Sequence, residues 1–256
     1  MKLIRLGQTL CEGASFPPPP PTANALLFLR KNTNMYGGFH TEDCSVIDPP
    51  RSSNASTMYK GQPITKWEDY NGSGVYAEQT TCLDCPKYNS GVANFDVGDS
   101  LFFDLSGDVV LTGEFTIYIK AVLEGTSNKS FVGGDTSNFW RISNNKEFRV
   151  RIGSSANNLF TEVTDTIGTT SRDRYVFCLQ RDASGFLSMF VDGGFTQAYN
   201  DKAWGSTTNQ DTDTMTISNI GAQADDTQTL EGDLYDVLIY DTEHNATERN
   251  IIYNYL

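Results

Sequence analysis

The feature that most limits the fold is a strand–turn–strand pattern in the C-terminal half of the chain. Residues 175–181 and 186–191 are rich in apolar residues, and the turn between them ends at Gly185. Two such runs joined by a short turn with a final glycine predict a β-hairpin. A second tight reversal is expected directly afterwards, at Gly193 and Gly194.

Further strand patterns occur along the sequence. Residues 25–29 form a continuous apolar run, and residues 115–121 and 148–152 alternate between apolar and polar side chains. Residues 234–240 predict a last strand, whereas residues 31–63 are irregular and are expected to form a long loop. Many short strands of this kind predict an all-β sandwich or barrel.

One helix is predicted, at the C-terminal end. Asn245 is a suitable N-cap, and Glu248 follows three residues later, as in a capping box. Ile251, Ile252 and Tyr255 are expected to form the apolar stripe of this helix.

The N-terminal residues differ from the rest and divide the chain into an arm, residues 1–23, and a sandwich domain, residues 24–256. Five consecutive prolines at residues 17–21 predict a stiff polyproline II spacer. The arm has two interpretations, a loose tail before a linker or an anchor that is buried in a neighbouring molecule. In the second case the buried side chains would be Leu3, Ile4, Leu6, Leu10 and Phe16.

Charge and targeting signals limit the partners. The formal net charge of −13 repels phosphate backbones, so nucleic-acid binding is not expected. The sequence contains no apolar stretch long enough for a membrane span, and its N-terminus lacks the apolar run of a secretory signal. We therefore expect folding in a reducing cytosol, with the five cysteines unpaired.

Several segments, taken in order, resemble the laminin G-like branch of the concanavalin A-like lectin/glucanase superfamily. Residues 61–72, with Trp67 and Asp69, resemble an early motif of that family. Residues 187–193 resemble its strand ending in Val-Asp-Gly, with Phe190 in place of the usual tyrosine. Residues 218–240 resemble its closing strands, with Asp236 where the pattern has glutamate. The resemblance implies a concanavalin A-like jelly-roll β-sandwich with a short C-terminal helix, preceded here by an extended arm.

Three carboxylates in the closing segment raise the question of an enzyme. Glu231, Asp233 and Asp236 are similar to the paired carboxylates of laminarinase-type glycoside hydrolases, which share this architecture. The same stretch is explained by the closing strand of a laminin G-like domain. Because only two histidines occur, nucleophilic triads are poorly supported, so a non-enzymatic protein is predicted.

Metal sites have two candidate sets. The hard oxygen ligands of Asp-rich loops suit calcium, which is one possible cofactor. The loop residues concerned are Asp211, Asp213, Asp225 and Asp226. A zinc site is the other candidate, although two free cysteines in a turn explain the same spacing. Its ligands would be Cys82, Cys85, Cys44 and His40.

Sugar binding usually needs exposed aromatic rings beside hydrogen-bonding side chains. Tyr199, Trp204 and Trp140 lie in or beside polar segments and are candidates, with the alternative that they fill the rim of the sandwich. Trp67 is expected in the core.

The layout of arm, spacer and sandwich resembles head-decoration and fibre proteins of tailed bacteriophages. It implies a virion structural protein, anchored to other virion proteins by residues 1–23 and forming a homo-oligomer. The alternative is a carbohydrate-binding module for attachment to cell-surface glycans, and a glycoside hydrolase is a third reading.

Overall fold

The described residues form 17 strands and one α-helix in a computed structural model. The first nine strands are β1 (Ala25–Arg30), β2 (Met35–Gly37), β3 (Ile64–Glu68), β4 (Tyr76–Glu78), β5 (Lys87–Asn89), β6 (Val92–Phe95), β7 (Phe103–Leu111), β8 (Phe115–Leu123) and β9 (Lys129–Asp135). The others are β10 (Asn138–Ser143), β11 (Glu147–Arg151), β12 (Asn158–Thr161), β13 (Arg174–Arg181), β14 (Leu187–Gly193), β15 (Tyr199–Ser206), β16 (Met215–Ile220) and β17 (Gly232–Tyr240), before helix α1 (Ala246–Tyr255).

The structure describes residues 25–37, 58, 60–97, 100–153, 158–161, 165–170, 172–194, 199–207, 210–224 and 228–256. Several predicted features therefore lie outside the described residues. They are the arm with its anchoring side chains, the proline run, His40, Cys44, Asp225 and Asp226.

The strands form two antiparallel sheets. One has eight strands in the order β15-β14-β13-β8-β17-β6-β5, with β1 also paired to β17. The other has nine strands in the order β12-β11-β10-β9-β16-β7-β4-β3-β2. This confirms the predicted all-β sandwich with a short C-terminal helix.

Aromatic side chains from both sheets meet in the core between them. The ring of Phe177 on β13 lies 4.9 Å from that of Phe131 on β9 and 5.6 Å from that of Phe148 on β11. Phe95 of the first sheet likewise contacts Phe103 of the second, with 6.1 Å between ring centroids. The alternation of apolar residues along each strand directs these rings inward.

The local predictions agree well with the structure. β13 and β14 pair from Tyr175 with Gly193 to Arg181 with Leu187, and Gly185 takes a φ of +87° in the turn between them. Asn245 caps α1, and the reciprocal bonds of a capping box with Glu248 are both present. The predicted hairpin and helix cap are confirmed.

Two expectations were wrong. The expected loop at residues 31–63 contains strand β2, which pairs with β3 at the edge of the nine-stranded sheet. In α1, Ile252 is fully buried but Ile251 is 38% exposed, whereas Arg249 is buried. The buried side of the helix is therefore partly polar, and the expected stripe is incomplete.

Candidate functional site

A cleft lies on the outer face of the nine-stranded sheet, where β3, β4 and the loop between them meet. Its volume is about 320 Å³, the size class that suits a small ligand or one unit of a larger one. The lining residues combine charged side chains, a tyrosine and loop backbone. They are Lys66, Glu68, Asp69, Gly72, Gly74, Val75 and Tyr76.

The charged floor of the cleft follows from the alternation of β3. Trp67 points into the core and is fully buried, so its neighbours Lys66 and Glu68 point outward. Their side chains form an ion pair with 2.7 Å between Lys66 Nζ and Glu68 Oε1. Tyr36 on the adjacent β2 donates its hydroxyl hydrogen to Glu68 Oε2 at 2.9 Å.

These hydrogen bonds fix the protonation of the group. The hydrogen bond from Lys66 lowers the pKa of Glu68, and the hydroxyl of Tyr36 acts in the same direction. The bond to Glu68 raises the pKa of Lys66 and of Tyr36. At neutral pH the cleft therefore holds a carboxylate acceptor beside an ammonium donor, both in defined positions.

Tyr76 forms one wall of the cleft and stands opposite Glu68 in the β3–β4 pairing. The Nζ atom of Lys66 lies 4.0 Å from the centroid of the Tyr76 ring, within range of a cation–π contact. This contact adds a second restraint on the ammonium group, so the donor, the acceptor and the ring are positioned together.

The rim of the cleft is a loop anchored by the buried Asp69. One carboxylate oxygen of Asp69 accepts a hydrogen bond from the backbone N–H of Phe28, and the other accepts from that of Ser73, each at 2.6 Å. Gly72 and Gly74 have φ angles of +75° and +90°, values that suit glycine. The loop is thus held against β1 while its backbone borders the cleft.

A second cleft of about 340 Å³ includes Lys60, Lys87, Asn89, Asn94 and Asp96 in its lining. Its polar groups are engaged with one another. Lys87 pairs with Asp96, and the side-chain amides of Asn89 and Asn94 both donate to Asp233. The β3–β4 cleft is the stronger candidate because the ring of Tyr76 lies beside its charged pair, whereas the tyrosine of the second cleft, Tyr88, is buried.

The three aromatic residues predicted as sugar platforms are all buried in the core. Tyr199 and Trp204 belong to β15, a strand where the sequence suggested a polar segment, and Trp140 belongs to β10. Trp204 packs edge-on against Phe148, and its indole N–H donates to a backbone carbonyl oxygen. Because none of the three offers an exposed ring, their prediction as platforms is wrong. Trp67 is in the core, as expected.

The Asp-rich loop serves an internal purpose in the structure. Arg181, which is almost fully buried, donates hydrogen bonds to the backbone carbonyl oxygens of Asp211 and Asp213. No group of three histidine, cysteine, aspartate or glutamate side chains that could hold a metal occurs among the described residues. The calcium site stays a prediction, and two of its four proposed ligands, Asp225 and Asp226, lie outside the described residues.

Of the four predicted zinc ligands, the structure describes the side chain of Cys85 alone. Cys85 is buried, its Sγ lies 3.4 Å from the carbonyl oxygen of Gln79, and burial raises its pKa to about 12. A metal ligand must be a thiolate, which this environment disfavours. Cys82 begins a short 3₁₀ helix, Cys82–Asp84.

The three carboxylates of the hydrolase reading have different partners. Glu231 accepts a hydrogen bond from Ser127, Asp233 accepts from two asparagines, and Asp236 accepts from the backbone N–H of Lys31. Asp236 is buried, which raises its pKa. The expectation of a non-enzymatic protein stays a prediction.

The cleft residues Tyr36, Lys66, Glu68 and Tyr76 were missed by sequence reasoning. The alternation around Trp67 was a usable signal, since it places Lys66 and Glu68 on the outer face. Tyr36 gave no signal, because it lies in a segment that was expected to be a loop.

No protein-family model matches the chain, and no characterised protein sequence matches it significantly. Solved structures do match. A Trypanosoma rangeli sialidase is 12% identical with a TM-score of 0.50, over 91% of this chain and 33% of the sialidase chain. At that identity the likeness shows the fold alone, and this chain spans about a third of the sialidase's length. The described residues thus form a two-sheet antiparallel β-sandwich, a fold shared with part of the sialidase.

Two other matches have TM-scores below 0.5. The ligand-binding domain of botulinum neurotoxin serotype D, solved with N-acetylneuraminic acid, is 12% identical with a TM-score of 0.48, over 75% of this chain and 50% of its own. The CBM40 of a Ruminococcus gnavus sialidase, solved with sialyllactose, is 11% identical with a TM-score of 0.42. The match covers 56% of this chain and 83% of the CBM40 chain. Separately, no described helix is long and apolar enough to cross a membrane.

Proposed function

We propose that this chain is a non-enzymatic carbohydrate-binding module that holds one sugar unit of a glycan in the β3–β4 cleft. The observation that carries the proposal is the fixed set formed by Lys66, Glu68, Tyr36 and Tyr76. A sugar ring presents adjacent hydroxyl groups that both donate and accept hydrogen bonds. A carboxylate and an ammonium held 2.7 Å apart offer both roles at neighbouring positions.

Rigidity supports the same proposal. Both charged side chains are restrained before a ligand arrives, Glu68 by Tyr36 and Lys66 by the ring of Tyr76. Restraint of this kind lowers the entropy cost of binding. Exposed ion pairs contribute little to the free energy of folding, so the stability of the fold does not explain why these two side chains are held in place.

A virion structural role anchored by residues 1–23 stays a prediction, as does a homo-oligomer. The arm lies outside the described residues, and none of the matched solved structures described above is a virion protein. Carbohydrate binding and a place on a virion are compatible, since a sandwich can bind glycans wherever its arm attaches it.

A glycan array tests the proposal. We expect the wild type to bind a limited set of glycans and Glu68→Gln to lose that binding by about tenfold or more. Sialylated glycans belong in the set because two of the matched structures contain them. The matched control is Lys60→Ala, which removes a lysine from the second cleft, compared with Lys66→Ala.

Two outcomes would count against the proposal. Binding of no glycan by the wild type would remove it. Binding lost in Lys60→Ala but kept in Lys66→Ala and Glu68→Gln would move the site to the second cleft.

A further inference from the structure

Three arginines lie together on the outer face of the nine-stranded sheet, away from the β3–β4 cleft. Phe148 and Val150 of β11 point into the core, so Arg149 and Arg151 point outward with Glu147. On β10, Arg141 stands directly opposite Arg149. All three arginines are partly exposed, and Glu147 is the one carboxylate on these two strands.

Facing like charges destabilise a sheet pair. Arg149 shares its charge with Glu147, with which it forms a short ion pair. Arg141 has no such partner, since it donates from Nη1 to the neutral side chain of Gln223 at 2.7 Å and lies 4.9 Å from the ring centroid of Phe139. Burial, followed by the neighbouring Arg149, holds the pKa of Arg141 below its usual value.

Arg249 shows how this chain treats an arginine with a purely structural purpose. Its Nε and Nη2 atoms donate to the two carboxylate oxygens of Asp201, each at 2.9 Å. That fork-to-fork pairing satisfies the guanidinium fully. Arg141 has the same kind of fork and is also held in place, but its partner is a single amide oxygen.

Unpartnered donors accumulate on the same face. Buried side-chain atoms without a hydrogen bond to the described part of the chain include Arg141 Nε, Arg151 Nε, Ser130 Oγ and Ser143 Oγ. Ser130 pairs with Arg141 across β9 and β10, and Ser143 alternates with the inward-pointing Ile142 on β10. Two of these four atoms belong to the arginines themselves, and the two serines are buried. A buried donor without a partner costs free energy, so the arginines favour an acceptor-rich group.

We propose that the guanidinium groups of Arg141 and Arg149, both partly exposed on this face, bind an oxyanion substituent of a glycan, a carboxylate or a sulfate. This proposal rests on the proposed carbohydrate binding and adds the chemical class of the sugar. A guanidinium fork matches either oxyanion with two parallel hydrogen bonds.

The neighbouring surface limits how many charges the glycan carries. Asp104 and Asp108 of β7 are exposed on the same sheet, between the arginines and the cleft. From β10 to β3 there are five strand spacings of about 4.8 Å, roughly 24 Å in all. A polyanion crossing that distance would meet both aspartates. We therefore infer a glycan with one acidic sugar and an otherwise neutral chain.

Titration calorimetry with matched sugars tests this inference. The probes are neutral oligosaccharides long enough to span the roughly 24 Å from the cleft to the arginines. Each is compared with the same chain carrying one terminal sulfate or one terminal uronic acid, which separates sulfate from carboxylate. We expect the wild type to bind at least one acidic form about tenfold more tightly than its neutral parent. Arg149→Gln and Arg141→Gln should reduce that preference to about one, and Arg141→Lys should restore it only in part, because an ammonium lacks the fork.

The matched control is Arg172→Gln, which removes the same charge from an exposed position outside this face. It should keep the preference for the acidic form. Heparin, a polyanion, should bind no better than the singly charged sugars. The side chain of Arg149 is 35% exposed, so Arg149→Gln is expected to fold. This variant therefore still tests the inference if Arg141→Gln does not fold.

Each result is decisive. Equal affinity for acidic and neutral forms in the wild type, or an unchanged preference in Arg149→Gln, would overturn the inference and leave the proposed function intact. If no sugar binds, the proposed function fails, and sodium sulfate then tests the anion site alone. If added sodium sulfate raises the melting temperature of the wild type and of Arg172→Gln more than that of Arg149→Gln, the anion site is supported. An equal rise in all three proteins would overturn it.

Discussion

The outer faces of the two sheets are built for different purposes. The outer face of the eight-stranded sheet under α1, which we call the covered face, buries Tyr118, Cys178 and Tyr240 against Ile252 of the helix. The outer face of the nine-stranded sheet, which we call the open face, carries the β3–β4 cleft and the arginines of β10 and β11. On the covered face Arg249, Asp201 and His244 bond to other groups of the chain, although the hydroxyl of Tyr240 has no partner among the described residues. On the open face the polar groups are restrained but remain accessible.

The polar groups of the covered face show this satisfaction clearly. Arg249 bridges Asp201, Gln180 and the carbonyl oxygen of His244, and its guanidinium lies 3.7 Å from the ring centroid of Phe190. Tyr118 and His244 share a hydrogen bond of 2.8 Å. The buried polar cluster of the covered face has a structural purpose, whereas the restrained and accessible cluster of the open face is the one that we propose binds a ligand.

The largest effect is expected for Arg249→Ala on the covered face. Removing one partner of a buried ion pair leaves Asp201 uncompensated, which typically costs about 3–5 kcal/mol. Chemical denaturation should show this loss in the free energy of unfolding. Lys60→Ala, an exposed control, should change the free energy of unfolding by less than about 0.5 kcal/mol. Equal effects of the two variants would break the comparison.

The next effect separates two adjacent isoleucines of α1. Ile252 is fully buried, so Ile252→Ala should lower the free energy of unfolding by about 2–4 kcal/mol. Ile251 is 38% exposed, and Ile251→Ala should cost less than about 1 kcal/mol. A reversed order in denaturation experiments would mean that the helix docks through its other side.

How much of this was predictable depends on the range of the interactions involved. The β13–β14 hairpin and the Asn245 cap follow from residues close in sequence, and the sequence predicted both. The burial of Tyr199 and Trp204 depends on β15 pairing with β14 through two register shifts, which local alternation does not reveal.

The candidate site was less predictable for the same reason. Its cleft joins Tyr36 to Glu68, 32 residues apart, through the pairing of β2 with β3. The arginine face was visible as the alternation of Arg149 and Arg151. Its counterpart Arg141 enters only because β10 pairs in a register that sets it opposite Arg149.

A smaller effect is expected for the pH dependence of the covered face. Burial lowers the pKa of His244 below its ordinary value of 6.5, so the unfolded chain binds the proton more readily. Stability from this group is therefore full above pH 6.5 and falls as the pH drops through the lowered pKa. His244→Gln should flatten this slope, and His40→Gln, which removes the only other histidine, should leave it unchanged.

The smallest effect on stability is expected in the cleft of the open face. Lys66 and Glu68 are 30% and 38% exposed in their side chains, so Glu68→Gln should change the free energy of unfolding by less than about 1 kcal/mol. The same variant should lose glycan binding. A melting curve like that of the wild type, together with lost binding, would separate function from folding at this site.

One measurement tests the difference between the two faces most directly. In a nuclear magnetic resonance titration with the glycan that binds best on the array, backbone amide shifts report where the ligand lies. We predict changes concentrated at Lys66, Glu68 and Tyr76, extending to β10 and β11 for an acidic glycan, with none at α1. Changes concentrated at α1 and the covered face, with the cleft unaffected, would contradict the account.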